Sequence, residues 1–537
     1  MLVGVEVRQL TSLLFRFFCP EISCTERADN DIKVDLSFTI ETEFLSLLRL
    51  HFFQYTPTSN LGIIWDVMSE KKKYEVAIIG AGPGGYVAAI KAAQMGRSVA
   101  LIDKEFLGGC CLNVGCIPTK TLLAHASVLH TIRRAKDFGI SVGDFSFDYA
   151  AMKARKDRVI TSLRNGVEQL LKTNRVSVYR GTAQFQSPYE LKVMGQDNLF
   201  IQADKIIIAT GSIPLDIRAF PCDHRRILNS TSLLEIRELP KSLAIVGGGY
   251  IGCEFASLFA ELGVQVTIME ALPSILTAQG PQIAEFMTRA LGKRGITIRT
   301  NVKVEKMENR ESHVSIHLAN EERLEADLAL VAVGRKIYTE GLGLEKAAIS
   351  VHEKTGAIET NSKMETVVPG IYAIGDVTGK WMLAHVASHQ GVVAASNAAG
   401  QEAHIHYDAV PAVVFTSPEI ATVGKTVEQA KEAGYQAATA GLFPFQALGK
   451  AQASAETEGF AQIVADRKTG QILGAQAVGH EASNLISEMA LAIQNELTLE
   501  SVMDTIHPHP TMGESWLEAA FMTNDTPIHF PPKKKNG

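Results

Sequence analysis

The chain has 537 residues and a mass of 58.2 kDa, room for about three or four domains. Its 46% hydrophobic and 20% charged residues exclude global disorder, and 52 Lys and Arg against 58 Asp and Glu leave no basic excess for a nucleic-acid or anionic-membrane surface. No apolar run reaches the roughly 18–20 residues of a membrane-spanning helix. The seven Cys are too sparse for a disulfide-stapled secreted fold, so a reducing, cytoplasmic setting is expected, where a close Cys pair serves catalysis or metal binding.

Residues 1–67 differ from the rest. They are Phe-rich and carry scattered acids such as Glu21, Glu26, Asp29 and Asp35. They lack the basic start and unbroken apolar core of a secretory signal, and they are too acidic for a transit peptide. They are expected to be an extension outside the fold, which would begin near Met68. From Tyr74 the pattern becomes strand, tight turn, helix, strand: Val76–Ile79, glycines, Tyr86–Met95, then Ser98–Ile102. The same order returns in Ser242–Val246, glycines, Phe255–Leu262 and Val264–Met269. Each is one βαβ unit of a parallel sheet. Strand runs follow at Lys205–Ala209, Leu328–Val333 and Gly370–Ile374. The last third alternates short strands (Ala412–Phe415, Phe460–Val464) with a helix over Ser483–Glu496, and the Pro531–Gly537 tail reads as frayed.

Both glycine clusters fit G-x-G-x-x-G: Gly80, Gly82 and Gly85 in the first, Gly247, Gly249 and Gly252 in the second. The first Gly permits the tight turn and the second lets backbone approach a pyrophosphate. The third lets helix pack on strand, and the helix N-terminus attracts the anion. An acid closes the next strand at the same offset in each, Asp103 and Glu270, placed to accept hydrogen bonds from ribose hydroxyls. One such motif is weak; two with matching acids indicate two dinucleotide-binding lobes. Ala271, Leu272 and Pro273 follow Glu270 without an Arg to hold a 2′-phosphate, so the second lobe is expected to take NAD.

Just after Asp103, Gly108-Gly-Cys-Cys111-Leu-Asn-Val-Gly-Cys116-Ile-Pro-Thr-Lys120 contains C-x4-C. A zinc site would want a second ligand pair, and none follows nearby, so no metal is expected. Buried free thiols would need no cofactor neighbour. A cycling disulfide beside the first lobe's ligand fits the position.

The C-L-N-V-G-C-I-P-T-K stretch resembles the redox signature of the pyridine nucleotide–disulfide oxidoreductases, and within them that of the dihydrolipoyl dehydrogenases. The resemblance runs from about Tyr74 to the C-terminus. It includes Ile208-Ala-Thr210-Gly211, Val331-Ala-Val-Gly334-Arg335, Ile374-Gly-Asp376, Met382-Leu-Ala384-His385 and His509-Pro-Thr-Met-Gly-Glu514. It implies an α/β fold with two Rossmann-like lobes and a C-terminal α+β dimerisation domain. The implied division is FAD-binding residues 68–215, NAD-binding 216–340, a returning FAD-binding/central part 341–410, and interface 411–537.

The same resemblance implies oxidation of protein-bound dihydrolipoamide by a Cys111–Cys116 disulfide, with FAD and NAD as cofactors. Cys111 would be the interchange thiol and Cys116 the thiolate against the flavin, with His509 as base and Glu514 as its orienter. FAD contacts are expected at Gly80, Gly82, Gly85, Asp103, Gly109, Lys120, Ala183, Thr210, Gly211, Asp376 and Ala384. Gly247, Gly249, Gly252, Glu254, Glu270, Val302 and Gly334 are expected on the NAD side, and Lys120 is expected to pair with Glu254. The implied partners are a lipoyl domain of an acyltransferase or H-protein and a second copy of the chain. Cys110, Trp381 and Val386 depart from the family pattern, which favours Thr, Pro and Lys there. Glutathione and trypanothione reductases would want an Arg near Glu270, and mercuric reductases want C-terminal cysteines, whereas the last Cys here is Cys253.

Overall fold

The computed structural model describes residues 71–532. The expected extension over residues 1–67 and the lysine tail from residue 533 lie outside them. Strand β1 (Lys71–Ile79) leads through the first glycine turn into helix α1 (Pro83–Gln94) and strand β2 (Val99–Asp103). Two helices follow end to end, α2 (Gly109–Val114) and α3 (Cys116–Arg133), then the long α4 (Tyr149–Thr173). Strands β3 (Ser177–Ser187), β4 (Glu190–Gly195), β5 (Leu199–Ile208) and β6 (Ser212–Pro214) complete this part. Val76, Ala77 and Ile78 are wholly buried, the unbroken apolar run of a strand covered on both faces.

The second unit comprises β7 (Ile227–Leu228), α5 (Ser230–Leu233), β8 (Ser242–Val246), α6 (Tyr250–Glu261), β9 (Gln265–Met269), α7 (Pro281–Lys293) and β10 (Thr297–Arg299). An antiparallel meander β11 (Val304–Asn309), β12 (Val314–Leu318) and β13 (Arg323–Ala326) leads to β14 (Leu328–Val331). Strand β15 (Arg335–Ile337) then pairs with β6, tying the return of the chain to its exit. Strand β16 (Ile371–Ala373) rejoins the first sheet beside β5.

The two sheets are built to one plan. Parallel pairings give the order β3-β2-β1-β5-β16 in the first and β10-β9-β8-β14-β7 in the second. In each, the connection to the fourth strand carries antiparallel strands, β4 in the first and β11–β13 in the second. This is the doubly wound order whose ligand crevice lies at the carboxyl ends of the central strands. Helix α8 (Ala384–Ala398) crosses α1 at small residues. A Cβ on Gly391 would meet the Gly84 carbonyl at 2.5 Å, and one on Gly84 would meet that of Ala387 at 2.9 Å. Backbone thus packs on backbone, which seats the start of α8 beside the first glycine turn.

The last part is an antiparallel sheet of five strands, order β17-β18-β21-β20-β19: β17 (Ala412–Val414), β18 (Glu419–Gly424), β19 (Ala438–Pro444), β20 (Gly459–Asp466) and β21 (Ile472–Gly479). Helices α9 (Val427–Glu432) and α10 (Gly449–Ala453) lie between its strands; α11 (Ala482–Gln494), α12 (Leu499–Asp504) and α13 (Glu514–Thr523) follow them. Trp516 is fully buried in this core and donates its indole N–H to the Leu485 carbonyl at 3.0 Å.

Helices α3 and α4, 18 and 25 residues long, have no counterpart in the sequence reading. Helix α4 buries only Tyr149, Ile160, Val167 and Leu171 among its apolar residues, too few for a strong apolar stripe. Its inner face is completed by Lys156, whose stem is buried and whose ammonium reaches the Leu234 carbonyl and Glu235, each at 3.0 Å.

Candidate functional site

The two glycine turns are geometric copies. Gly80 and Gly247 have φ of +100° and +105°, and a Cβ on either would stand 2.4 Å from the carbonyl of Ala209 or Ala332, each just past the fourth strand of its sheet. A Cβ on Gly85 would meet the Gly80 carbonyl at 1.8 Å, and one on Gly252 the Gly247 carbonyl at 2.0 Å. Only glycine fits the left-handed turn and the helix-on-strand contact. Helices α1 and α6 have no side-chain cap at their N-termini, so their first-turn N–H groups remain for an anion. Gly82 and Gly249, where the motif brings a pyrophosphate close, face open space.

The two acids repeat as well. Asp103 accepts the N–H of Ala81 at 2.7 Å and of Glu105 at 2.8 Å; Glu270 accepts those of Gly248 at 2.7 Å and Leu272 at 2.8 Å. Each carboxylate oxygen keeps a lone pair for a ribose hydroxyl. Burial pushes the Asp103 carboxyl above its usual range against the pull of these N–H groups. The donors, the open glycines and the bound acids together fit one dinucleotide in each lobe.

The cysteine pair sits where α2 meets α3. Cys111 lies in α2, Gly115 forms the corner, and Cys116 is the first residue of α3. All three cysteines of this stretch are free thiols. The hydrogen bond that Cys111 donates is the largest influence on Cys116 and holds its thiol down at about 7. Lys120, one turn on along α3, adds to this effect, while burial and Glu254 oppose it. The same hydrogen bond, with burial, pushes Cys111 far up. The two sulfurs thus share a proton, and the reduced pair favours one thiolate beside Lys120.

Lys120 meets Glu254 at 2.6 Å. Glu254, in the second turn of α6 and buried, also accepts the Phe415 N–H at 2.9 Å, and the Lys120 ammonium lies 4.6 Å from the centre of the Phe415 ring. One carboxylate thus joins the cysteine helix, the second glycine helix and the entry to the antiparallel sheet. Asp376 lies just past β16 and takes a hydrogen bond from the Ser212 hydroxyl. Arg335 donates to the Ser212 hydroxyl and carbonyl, each at 2.7 Å, and to Cys110 Sγ at 3.5 Å. Ser212 was not anticipated; it follows Gly211, and it pairs across β6 and β15 with Ile337. Cys110 is pushed up by burial against the pull of Arg335.

The remaining first-lobe positions divide. Thr210 donates to the Tyr338 carbonyl at 2.6 Å, Gly211 has φ of +70° with open space above it, and Ala384 begins α8. Gly109 packs against Gly82, where a Cβ would stand 2.6 Å away. Ala183 is buried in β3 opposite Val193, so only its main chain can serve a ligand. On the second lobe Val302 donates its N–H to the Glu270 carbonyl at 2.9 Å, and Gly334, with φ of +131°, faces open space.

His509 and Glu514 meet at the start of α13. His509 Nδ1 lies 2.8 Å from Glu514 Oε1, and Glu514 Oε2 accepts the Thr511 N–H at 2.8 Å. Burial tends to raise Glu514, but these two hydrogen bonds, with the charges of His509 and His507, leave it below the usual carboxylate range. The His509 side chain is 76% exposed, so Nε2 faces outward. Among the described residues its hydrogen bonds and ion pairs reach Glu514 and no cysteine. Within one chain the structure does not join the histidine to the thiols. Among the described residues no cluster of His, Cys, Asp or Glu could hold a metal ion, and no helix is long and apolar enough to cross a membrane.

Known proteins share this arrangement. The pyridine nucleotide-disulphide oxidoreductase family matches residues 74–391, and its dimerisation domain matches residues 410–520. The chain is 47% identical to a dihydrolipoyl dehydrogenase of Chlamydia pneumoniae over 86% of its own length and 99% of that protein. It is 42% identical to that of Geobacillus stearothermophilus, over 86% and 98%. Among solved structures it is similar to LpdA of Mycobacterium tuberculosis, with TM-score 0.78 and 29% identity over 84% of this chain and 99% of that one. It is also similar to RclA of Escherichia coli, an HOCl-induced flavoprotein disulfide reductase, with TM-score 0.75 and 33% identity over 83% and 99%. Two glycine-turn lobes, a thiol pair at a helix start and a dimerisation sheet are thus the parts of one known scaffold, and the chain belongs to the pyridine nucleotide-disulphide oxidoreductase family.

Proposed function

We propose that this chain is an FAD-dependent dihydrolipoyl dehydrogenase, oxidising dihydrolipoamide and reducing NAD+ to NADH. The observation that carries the residue assignment is the setting of Cys116, the first residue of α3, one turn from Lys120 and its partner Glu254. In thiol–disulfide exchange the thiol of lower pKa leaves faster. A substrate thiolate attacking Cys111 Sγ breaks the Cys111–Cys116 bond and releases Cys116 as the stabilised thiolate. The second substrate thiolate then displaces Cys111, closing the lipoamide disulfide and leaving the enzyme dithiol. Lys120, balanced by Glu254, stabilises the charge at Cys116. FAD, bound in the first lobe, supplies the two-electron link from this pair to NAD in the second.

His509 is the base that collects protons from the substrate dithiol. Glu514 holds Nδ1, which presents Nε2 outward. Its exposure fits delivery to the cysteine pair of a second subunit, completing that subunit's site. Residues 68–215 and 341–410 form the FAD part, 216–340 the NAD part and 411–537 the interface. A lipoyl domain of an acyltransferase or H-protein brings the substrate, in the cytoplasm. The deciding assay sets dihydrolipoamide with NAD+ against glutathione disulfide with NADPH, using purified flavoprotein. Turnover with the first pair and none with the second supports the assignment; the reverse overturns it.

A further inference from the structure

The loop carrying His509 has one inward side chain. From Asp504 to Pro510 every residue is exposed except His507, and Ile506 is 95% exposed. No apolar residue of this segment can hold it against the helices. The His507 side chain is only 5% exposed. Its Nδ1 lies 2.9 Å from the Thr505 carbonyl and its Nε2 lies 3.0 Å from Glu488 Oε1 on α11.

Both contacts are to acceptors. A carbonyl can only accept, so Nδ1 donates to Thr505. Nε2 lies against the Glu488 carboxyl, which closes the other end of the ring. The ring is thereby clamped at both ends, by its own loop and by α11. Helix α11 also fixes α13, through the bond from Trp516 to the Leu485 carbonyl. Thr511 closes the loop from the other side, donating its hydroxyl to the Pro508 carbonyl at 2.8 Å.

We propose that His507 and Glu488 form an anchoring pair that positions His509 for proton transfer. They are positioning residues: neither is placed against the reacting sulfurs, and they act by fixing the loop between α12 and α13. This rests on the assignment of His509 as the base. His507 itself lies outside the H-P-T-x-x-E motif.

The test uses the purified flavoprotein dimer and two reactions: dihydrolipoamide to NAD+, and NADH to an artificial electron acceptor that bypasses the thiols. His507→Phe fills the space without donors, and a displaced base typically costs up to about a hundredfold, so lipoamide kcat is expected to fall roughly tenfold. KM for dihydrolipoamide and the artificial-acceptor rate should hold. His507→Gln, which can still donate to Glu488, should recover part of the loss. Glu488→Gln should lower kcat less than His507→Phe, and the double variant should be no worse than His507→Phe alone, because the two act as one unit. Lipoamide kcat within twofold of wild type in His507→Phe, equal loss in Phe and Gln variants, or a parallel fall of both reactions would overturn the proposal. Should His507→Phe fail to fold, Glu488→Gln alone decides by the same split. His509→Gln, run alongside, separates the two failures. If it is harmless the base assignment falls, whereas if it alone is damaging only the anchoring pair does.

Discussion

Cys111 and Cys116 are chemically alike in sequence, and only their setting divides their work. Cys116 begins a helix one turn from Lys120, and Cys111 is its hydrogen-bond donor when Cys116 is the thiolate. Replacing Cys111 by Ala removes that donor, while the burial that opposes ionisation of Cys116 stays. The Cys116 thiol of the reduced enzyme should then titrate well above about 7, returning toward the ordinary cysteine value of roughly 8.5. The pH dependence of iodoacetamide alkylation at Cys116, followed by peptide mass, measures this, and an unmoved midpoint would refute the assigned donor. His509 admits a larger prediction. His509→Gln keeps a side chain of similar reach that cannot take a proton, so lipoamide turnover should fall by about 10²–10⁴-fold. Electron transfer from NADH to artificial acceptors should persist. The cysteines, His509 and Glu514 were legible as residues because their motifs are contiguous. Ser212 and Glu488 were not, because each reaches the site through a partner distant in sequence, Asp376 or His507.

At the scale of elements, the duplicated glycine turn explains why the sequence is so readable where cofactors are expected. A left-handed turn, an uncapped helix start and a strand-end acid each demand one residue type at one spacing. The matching contacts in the two lobes leave no room for a side chain at Gly85 or Gly252. Alanine at either must push helix from strand, at a cost of about 1–3 kcal/mol in overpacking. Gly85→Ala should purify with little flavin, whereas Gly252→Ala should keep its flavin colour and show a raised KM for NAD. Equal loss of both cofactors in both variants would mean the lobes do not divide the ligands this way. Elements that only support the site were harder to read. Helix α4 hides its inner face behind a buried lysine stem, and the short β6 and β15, three residues each, are recognisable only through their pairing.

Across the whole molecule, the chain places its thiols and its histidine on separate parts that one copy does not bring together. Cys111 and Cys116 belong to the lobe of the first sheet, whereas His509 projects from the antiparallel sheet's helices with 76% of its side chain exposed. The dimerisation match over residues 410–520 covers His509 and Glu514, so a symmetric dimer can hand each histidine to the other subunit's cysteines. A two-fold interface is reciprocal, which makes two composite sites per dimer. Two inactive variants can test this. Homodimers of Cys111→Ser have no interchange thiol, and homodimers of His509→Gln have no base. After dissociation and random reassociation of equal amounts, half the dimers are hybrids, and each hybrid holds one composite site with an intact thiol and an intact base. Activity should therefore return to about a quarter of wild type. If instead each chain used its own histidine, every site in the mixture would still lack one partner, and the mixture would stay as inactive as its parents.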